Sequence, residues 1–326
     1  AVVGLGAAAY SPAKYGILTE YLPHRLLVVA NGWIEGLTVG AIILGVVVGG
    51  MLIKPDIAQM LLSFDVPLID TGIDTPVKMS VSIIGVLYVI ASLFNLYVPD
   101  TGVDHKPLRK NPFYLVREFK HCFTLLWRDR LGQISLAVTT LFWGAGATLQ
   151  FIVIKWSEVA LGLDLSKSSM LQGVVAVGVA LGAVAAAKFI TLRSAVRVIP
   201  LGIAMGLIVL TMNFVREIWL AVPLLVFIGA LSGFFVVPMN ALLQHRGHIL
   251  MGAGHSIAVQ NFNENLSILI MTGFYYVMIR MDVSIYIVVT LFGLCVSGLM
   301  YMIRQRHLAN QRDNDDVRHL DDSAHH

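Results

Sequence analysis

The chain has 326 residues, 57% of them hydrophobic and only 13% charged, with 23 Lys+Arg against 20 Asp+Glu for a formal net charge of +3. An ordinary soluble domain carries roughly 25% charged residues, so this composition, with a mean hydropathy of +0.77, argues against a soluble fold. The small charge excess gives no surface for nucleic acid, and two cysteines in separate regions, Cys122 and Cys295, exclude a disulfide scaffold or a zinc centre.

Taken in chain order, the apolar windows and their breakers predict membrane-spanning helices over residues 1–18 (partial), 27–53, 78–98, 133–156, 169–190, 195–214, 219–243, 254–280 and 283–303. Each full window is close to the 20 or so residues that cross the hydrocarbon layer. The fold class is an all-α membrane protein of eight full spans and a remnant. Alternate connections are basic: Arg25; then Lys106, Arg109, Lys110, Arg117, Lys120, Arg128 and Arg130; then Lys188, Arg193 and Arg197; then Arg246; then Arg304, Arg306 and Arg312. The opposite side holds only Lys54, Lys78, Lys167, Arg216 and Arg280. The positive-inside rule makes the basic side cytoplasmic, places the C-terminus inside and faces the segment from Lys54 to Val77 outward.

Two pairs of consecutive helices resemble each other. Tyr10-Ser11-Pro12-Ala13-Lys14 leads after a short loop to Asn31-Gly32-Trp33-Ile34-Glu35, and Val236-Val237-Pro238-Met239-Asn240 leads to Gln260-Asn261-Phe262-Asn263-Glu264. Each unit puts a proline near a cytoplasmic helix end and a carboxylate inside the next helix. The offset of six helices keeps both copies in the same orientation, which is the parallel repeat of major facilitator transporters, whose halves surround a central cavity. On that count the first helix is the fourth of twelve, and about three and a half helices are expected before Ala1, which carries no basic n-region or cleavage signature. The expected organisation is 1–98 as the remainder of the N-terminal half, 99–132 as a cytoplasmic linker, 133–303 as the C-terminal six-helix half and 304–326 as a cytoplasmic tail.

Ionisable side chains cost roughly 3 kcal/mol each at mid-bilayer and therefore face the bundle interior. Glu35 is eight residues into its helix, about 12 Å deep at 1.5 Å per residue, with Asn31 one turn before it on the same face. Glu264, with Gln260 and Asn263, makes a polar stripe in an otherwise apolar helix. These residues are expected to line a cavity for a charged headgroup or a coupling ion; the structural alternative is a pair of buried carboxyls that lock helices together. Gln150 is the cavity candidate on the first helix of the second half, which also carries Thr140, Trp143 and Thr148. Lys14 could offer its ammonium to a phosphate or could snorkel to the interface, and Lys155 beside Trp156 reads as an interfacial anchor. The pairs Gly36/Gly40, Gly45/Gly49, Gly178/Gly182 and Gly229/Gly233 have the spacing of close helix seams.

No Gly-Lys-Ser/Thr phosphate loop, Ser-His-Asp set, zinc pattern or dinucleotide fingerprint occurs, and no connection could hold a folded catalytic domain, so neither an enzyme nor a bound cofactor is expected. The acidic, histidine-bearing tail from Asp313 to His326 has no metal-ligand spacing and reads as a solvated segment.

Several blocks resemble a known family: Tyr10 to Leu18, Ala30-Asn31-Gly32, Leu141 to Gly146, Gly233 to Gln244, Gly252-Ala253-Gly254 and Ile257 to Asn261 are similar to the bacterial lysophospholipid transporters of the major facilitator superfamily, over nearly the whole chain to about Arg306. The resemblance implies a twelve-helix protein of the Gram-negative cell inner membrane that moves lysophospholipids, notably lysophosphatidylethanolamine, from the outer to the inner leaflet. It also implies a cytoplasmic acyltransferase/acyl carrier protein synthetase as partner. Lys14, Asn240 and Glu264 fall on matching motif positions and are thereby candidates for the cavity and its gate. Transport by rocking of the two halves would be driven by the lipid's own gradient or by a coupled cation, Na+ or H+. Two other classes remain open on this fold: a drug/proton exporter titrating at Glu35 or Glu264, and a non-transporting membrane scaffold for an acyltransferase.

Overall fold

A computed structural model describes residues 16–52, 55–62, 75–98, 102 and 112–313. Every regular element among them is helical. After helical residues 16–21 and a 3-10 turn at His24–Leu26 come α1 (Leu27–Leu52), α2 (Pro55–Leu62), α3 (Pro76–Phe94), α4 (Pro112–Arg128), α5 (Arg130–Leu161), α6 (Leu165–Phe189), α7 (Ile199–Val209), α8 (Ile218–Met251), α9 (Ala253–Arg280) and α10 (Ile285–Asp313). Short 3-10 stretches at Leu192–Val198 and Leu210–Phe214 extend α7 at both ends into one rod. Six of these described rods, α3, α5, α6, α7 with its extensions, α8 and α10, are long and apolar enough to cross a membrane.

The helix starts are written in short polar side chains. Asp129 accepts from the Gly132 N–H at 2.7 Å ahead of α5, Asp164 from Lys167 N–H at 2.8 Å ahead of α6, and Thr75 from Lys78 N–H at 3.3 Å with Pro76 in the first turn of α3. Each satisfies an amide that the helix leaves unpaired. α5 stops at Gly162, whose φ of +64° is the left-handed conformation that terminates helices at no Cβ cost.

The chain divides into two compact units, Ala1–Val39 with His105–His326, and Gly40–Asp104. In the smaller unit α3 exposes Val81, Ile84, Val86, Tyr88 and Val89, an apolar surface all round. The larger unit holds α5 to α10, the six helices expected for a C-terminal half. Their core includes Ile134, Val138, Ile152, Trp156, Leu225, Ile228, Phe235 and Val289, all essentially buried. Trp156 is wholly buried and donates Nε1–H to the Met212 carbonyl at 3.0 Å, tying the outer end of α5 to the α7 rod. Its neighbour Lys155 stays exposed and pairs with Glu158 at 3.2 Å.

α6 and α8 approach each other closely, and glycines make the approach possible. A Cβ on Gly178 would strike the Val226 carbonyl and one on Gly182 the Ala230 carbonyl, while Gly229 and Gly233 meet the carbonyls of Val175 and Val179. The two four-residue glycine pairs expected as seams therefore face each other in a single seam. The other two pairs differ: among the described residues nothing lies within 4 Å of a Cβ built on Gly36, Gly40 or Gly45, and Gly49 has no described side-chain surroundings.

Several helices outrun the apolar windows. α5 begins three residues earlier and ends five later than its window, and α8 continues to Met251 through Gln244, His245 and His248. Hydropathy registers only the hydrocarbon-compatible stretch, whereas backbone hydrogen bonding continues into the interface. For the same reason α10 runs on to Asp313, so the segment expected as a tail from residue 304 begins as helix. The linker carries the 17-residue amphipathic α4.

Candidate functional site

Helices α5, α8 and α9 enclose a cavity of about 260 Å³. α9 supplies most of the wall, with Ile257, Gln260, Asn261, Glu264, Asn265 and Ile268. These positions recur at three and four residues and so occupy one helix face. α8 contributes Asn240 and Gln244, and α5 contributes the Trp143 ring. The wall is thus mostly amide and carboxyl on two sides, with an indole and two isoleucines completing it.

Glu264 is the ionisable member. It lies eleven residues beyond the start of α9, about 16 Å along the axis, and is buried. Gln260, one turn earlier, donates Nε2–H to the Glu264 carboxylate at 2.7 Å and to Asn240 Oδ1 at 3.2 Å. One amide therefore links α9 to α8 and fixes the carboxylate's orientation. Glu35 on α1, also buried, lies within electrostatic reach of Glu264, so the repeat-related carboxylates of both copies lie near each other.

A second amide pair joins α1 to α8 beside the cavity. Asn31 donates Nδ2–H to Gln244 Oε1 at 2.8 Å, and Gln244 returns Nε2–H to Asn31 Oδ1 at 3.0 Å. Both side chains are buried, and Asn31 also donates to the Leu27 carbonyl of its own helix at 2.8 Å. Gly32, next to Asn31, lets α1 approach α6: a Cβ there would stand 2.6 Å from that of Ala187 and 3.0 Å from the Ala183 carbonyl. Gly16 similarly brings the preceding helical residues against Ala253 and Ile257 of α9. Helices of the first expected repeat copy thus meet those of the second through Gly16 and Gly32.

The residues expected at the site are therefore divided. Asn240, Gln260 and Glu264 line the cavity; Asn31 and Glu35 are buried beside it, the former through its pair with Gln244. Asn263 is elsewhere: it is about 100° around the helix from Glu264 and donates Nδ2–H to its own Val259 carbonyl at 2.8 Å. Gln150 is also outside. It lies two turns beyond Trp143 on α5 and is exposed, while its backbone carbonyl accepts from Gln172 Nε2 at 3.1 Å. Of its helix neighbours only Trp143 reaches the cavity; Thr148 bonds back to the Gly144 carbonyl at 2.8 Å. Lys14 lies outside the described residues. Sequence reasoning missed Gln244, Asn261 and Asn265 as wall residues, although the i, i+4 steps 257–261–265 and 260–264–268 were available in the sequence.

A half-polar cavity set among apolar helices of membrane-crossing length fits a transporter of the major facilitator type. Residues 1–272 match the family profile described as Major Facilitator Superfamily, and the chain belongs to that family. Among curated relatives it is 40% identical over 280 residues to the "Lysophospholipid transporter LplT" of Serratia proteamaculans (strain 568), covering 86% of this chain and 65% of that protein. To the protein of the same name in Yersinia pestis (strain Pestoides F) it is 39% identical over 285 residues, 87% of this chain and 65% of the relative. The chain thus spans just under two thirds of the length of these relatives.

Proposed function

We propose that the protein is a lysophospholipid transporter of the bacterial inner membrane, carrying lysophosphatidylethanolamine or a similar lipid from the outer to the inner leaflet by alternating access. The observation that carries this reading is the composition of the cavity: one buried carboxylate oriented by an amide, further amides, and an aromatic wall. A lysolipid already partitions into the membrane, so only its zwitterionic headgroup needs shielding through an apolar layer of about 30 Å. The similarity to proteins named lysophospholipid transporters supports the same substrate class.

In this reading the Glu264 carboxylate receives the ethanolamine ammonium, while the amides of Asn240, Gln260 and Asn265 contact the phosphate ester oxygens and the glycerol hydroxyl. Lys14 is proposed as the phosphate's cationic partner. The acyl chain stays among apolar surfaces such as Ile257 and Ile268. The reciprocal Asn31–Gln244 pair is the cytoplasmic closure, and it breaks as the halves rock so that cargo leaves toward the inner leaflet. Glu35, near Glu264, supplies the second charge through which a coupled Na+ or H+ would act. The delivered lysolipid is the substrate of a cytoplasmic acyltransferase/acyl carrier protein synthetase, the proposed partner. Movement of labelled lysophosphatidylethanolamine between the leaflets of vesicles containing the full-length protein tests the reading; a rate no faster than in protein-free vesicles rejects it.

A further inference from the structure

The amphipathic helix α4 of the linker is not used by the transport cycle described above, and its two faces differ sharply. The inner face is docked. Cys122 and Leu126 are buried with Leu136 of α5, Leu243 of α8 and Val259 of α9. Phe119 and Phe123 set their rings edge-on to Phe262 of α9 at centroid distances of 5.3 and 6.2 Å. Glu118 faces His255 of α9 at 3.6 Å. The helix is therefore fixed to the cytoplasmic ends of the bundle rather than tethered loosely below it.

The outer face carries Arg117, Lys120, His121 and Arg128, all exposed and none with an ion-pair partner among the described residues. On a helical projection these four fall within about 100° of one another. Val116, 69% exposed, borders them and adds apolar surface. The acids nearby are engaged: Glu118 with His255, and Asp129 with the Arg246 guanidinium and the start of α5.

Depth decides what this face meets. Phe262 is nine residues into α9, about 13 Å along its axis, and His255 is in its first turn, so α4 lies against the first three turns of α9. A basic amphipathic helix held at the end of a bundle whose helices are of membrane-crossing length sits where the headgroup layer begins. A basic face held there meets lipid phosphates before it meets a cytosolic protein.

We infer that α4 is a membrane-surface element whose Arg117/Lys120/Arg128 face binds anionic phospholipid headgroups of the cytoplasmic leaflet. The apolar side of α4 holds the bundle while its cations hold the leaflet, which anchors the linker between the halves to the membrane plane. This differs from the transport site in location and in ligand charge, since it calls for a net-negative diacyl lipid rather than a zwitterionic lysolipid.

The test uses full-length protein in bilayers of phosphatidylcholine with spin-labelled phosphatidylglycerol or spin-labelled phosphatidylcholine as probe, reading the protein-restricted fraction of each. Cations near an anionic surface contribute about a fivefold factor apiece when fully engaged; averaged over the whole lipid shell, Arg117→Gln/Lys120→Gln/Arg128→Gln is expected to lower the preference for phosphatidylglycerol about threefold or more. The charge-conserving Arg117→Lys/Lys120→Arg/Arg128→Lys should keep it, and raised salt should weaken it in the unmodified protein. An unchanged preference in the neutral variant, as a face serving an acidic cytosolic protein would give, overturns the inference. So does equal loss in the charge-conserving variant, which would mean that α4 had come off the bundle.

Discussion

At the scale of single residues, the cavity rests on two amides placed between helices. Gln260 spends both amide hydrogens, one on Glu264 and one on Asn240, so the carboxylate is held in one orientation. Glu264→Gln keeps size and hydrogen bonding while removing the charge. The expected outcome is transport slowed about tenfold, the loss of about 1.4 kcal/mol of transition-state stabilisation, with the melting temperature unchanged; an active but less stable variant would make Glu264 a structural lock instead. The Asn31–Gln244 pair predicts coupling. Asn31→Ala strands a buried amide at a cost of about 1–3 kcal/mol, and Asn31→Ala/Gln244→Ala should cost clearly less than the sum of the single variants. Additive losses in thermal unfolding would show that the two side chains act separately. The polar cost of lipid made Glu264, Gln260 and Asn240 legible in the sequence, because such groups must turn inward. It could not say which inward direction: Asn263 is equally polar yet satisfies itself on Val259, and Gln150, on the same face as Trp143, comes too far out along α5. Gln244 was not legible, since its partner Asn31 is more than two hundred positions away in the chain.

At the scale of helices, spacing foretold the α6/α8 seam. Gly178, Gly182, Gly229 and Gly233 each abut a carbonyl of the facing helix, while Gly36 and Gly40 have the same spacing and no such neighbour among the described residues. A four-residue step puts small residues on one face; it does not say that a helix is there to meet them. A further seam was passed over: Gly202 and Gly206 of α7, also four residues apart, meet Met300 and Gly293/Ser297 of α10, although their spacing was there to read. Substitution separates the cases. Gly182→Ala forces a methyl into the Ala230 carbonyl and is expected to lower stability by about 1–3 kcal/mol or more, seen as a lower melting temperature in detergent. Gly173→Ala, in the same helix but with open space around it, should be neutral or slightly stabilising, since alanine is the better helix former. Equal effects at the two positions would contradict the seam.

At the scale of the whole molecule, the alternation of basic and sparse connections and the twofold recurrence of a proline followed by a buried carboxylate were enough to foresee a helical transporter built of repeats. α9 carries Gln260, Asn261, Asn263, Glu264 and Asn265 within six positions and falls short of the apolarity of the six clear spans, yet its polar stripe was readable, and all of these residues but Asn263 line the cavity. One feature was not legible. The meeting of helices from the two copies, through Gly16, Asn31 and Gly32, depends on contacts between segments far apart in sequence. Transport of a lysolipid through that cavity is the central claim, and the most direct measurement follows labelled lysophosphatidylethanolamine in vesicles containing the purified full-length protein. The account predicts leaflet transfer faster than in protein-free vesicles, competed by unlabelled lysolipid and not by its diacyl counterpart, and unaffected by cationic drugs. Transfer no faster than in empty vesicles, together with uptake of a cationic dye driven by a pH gradient, would contradict it.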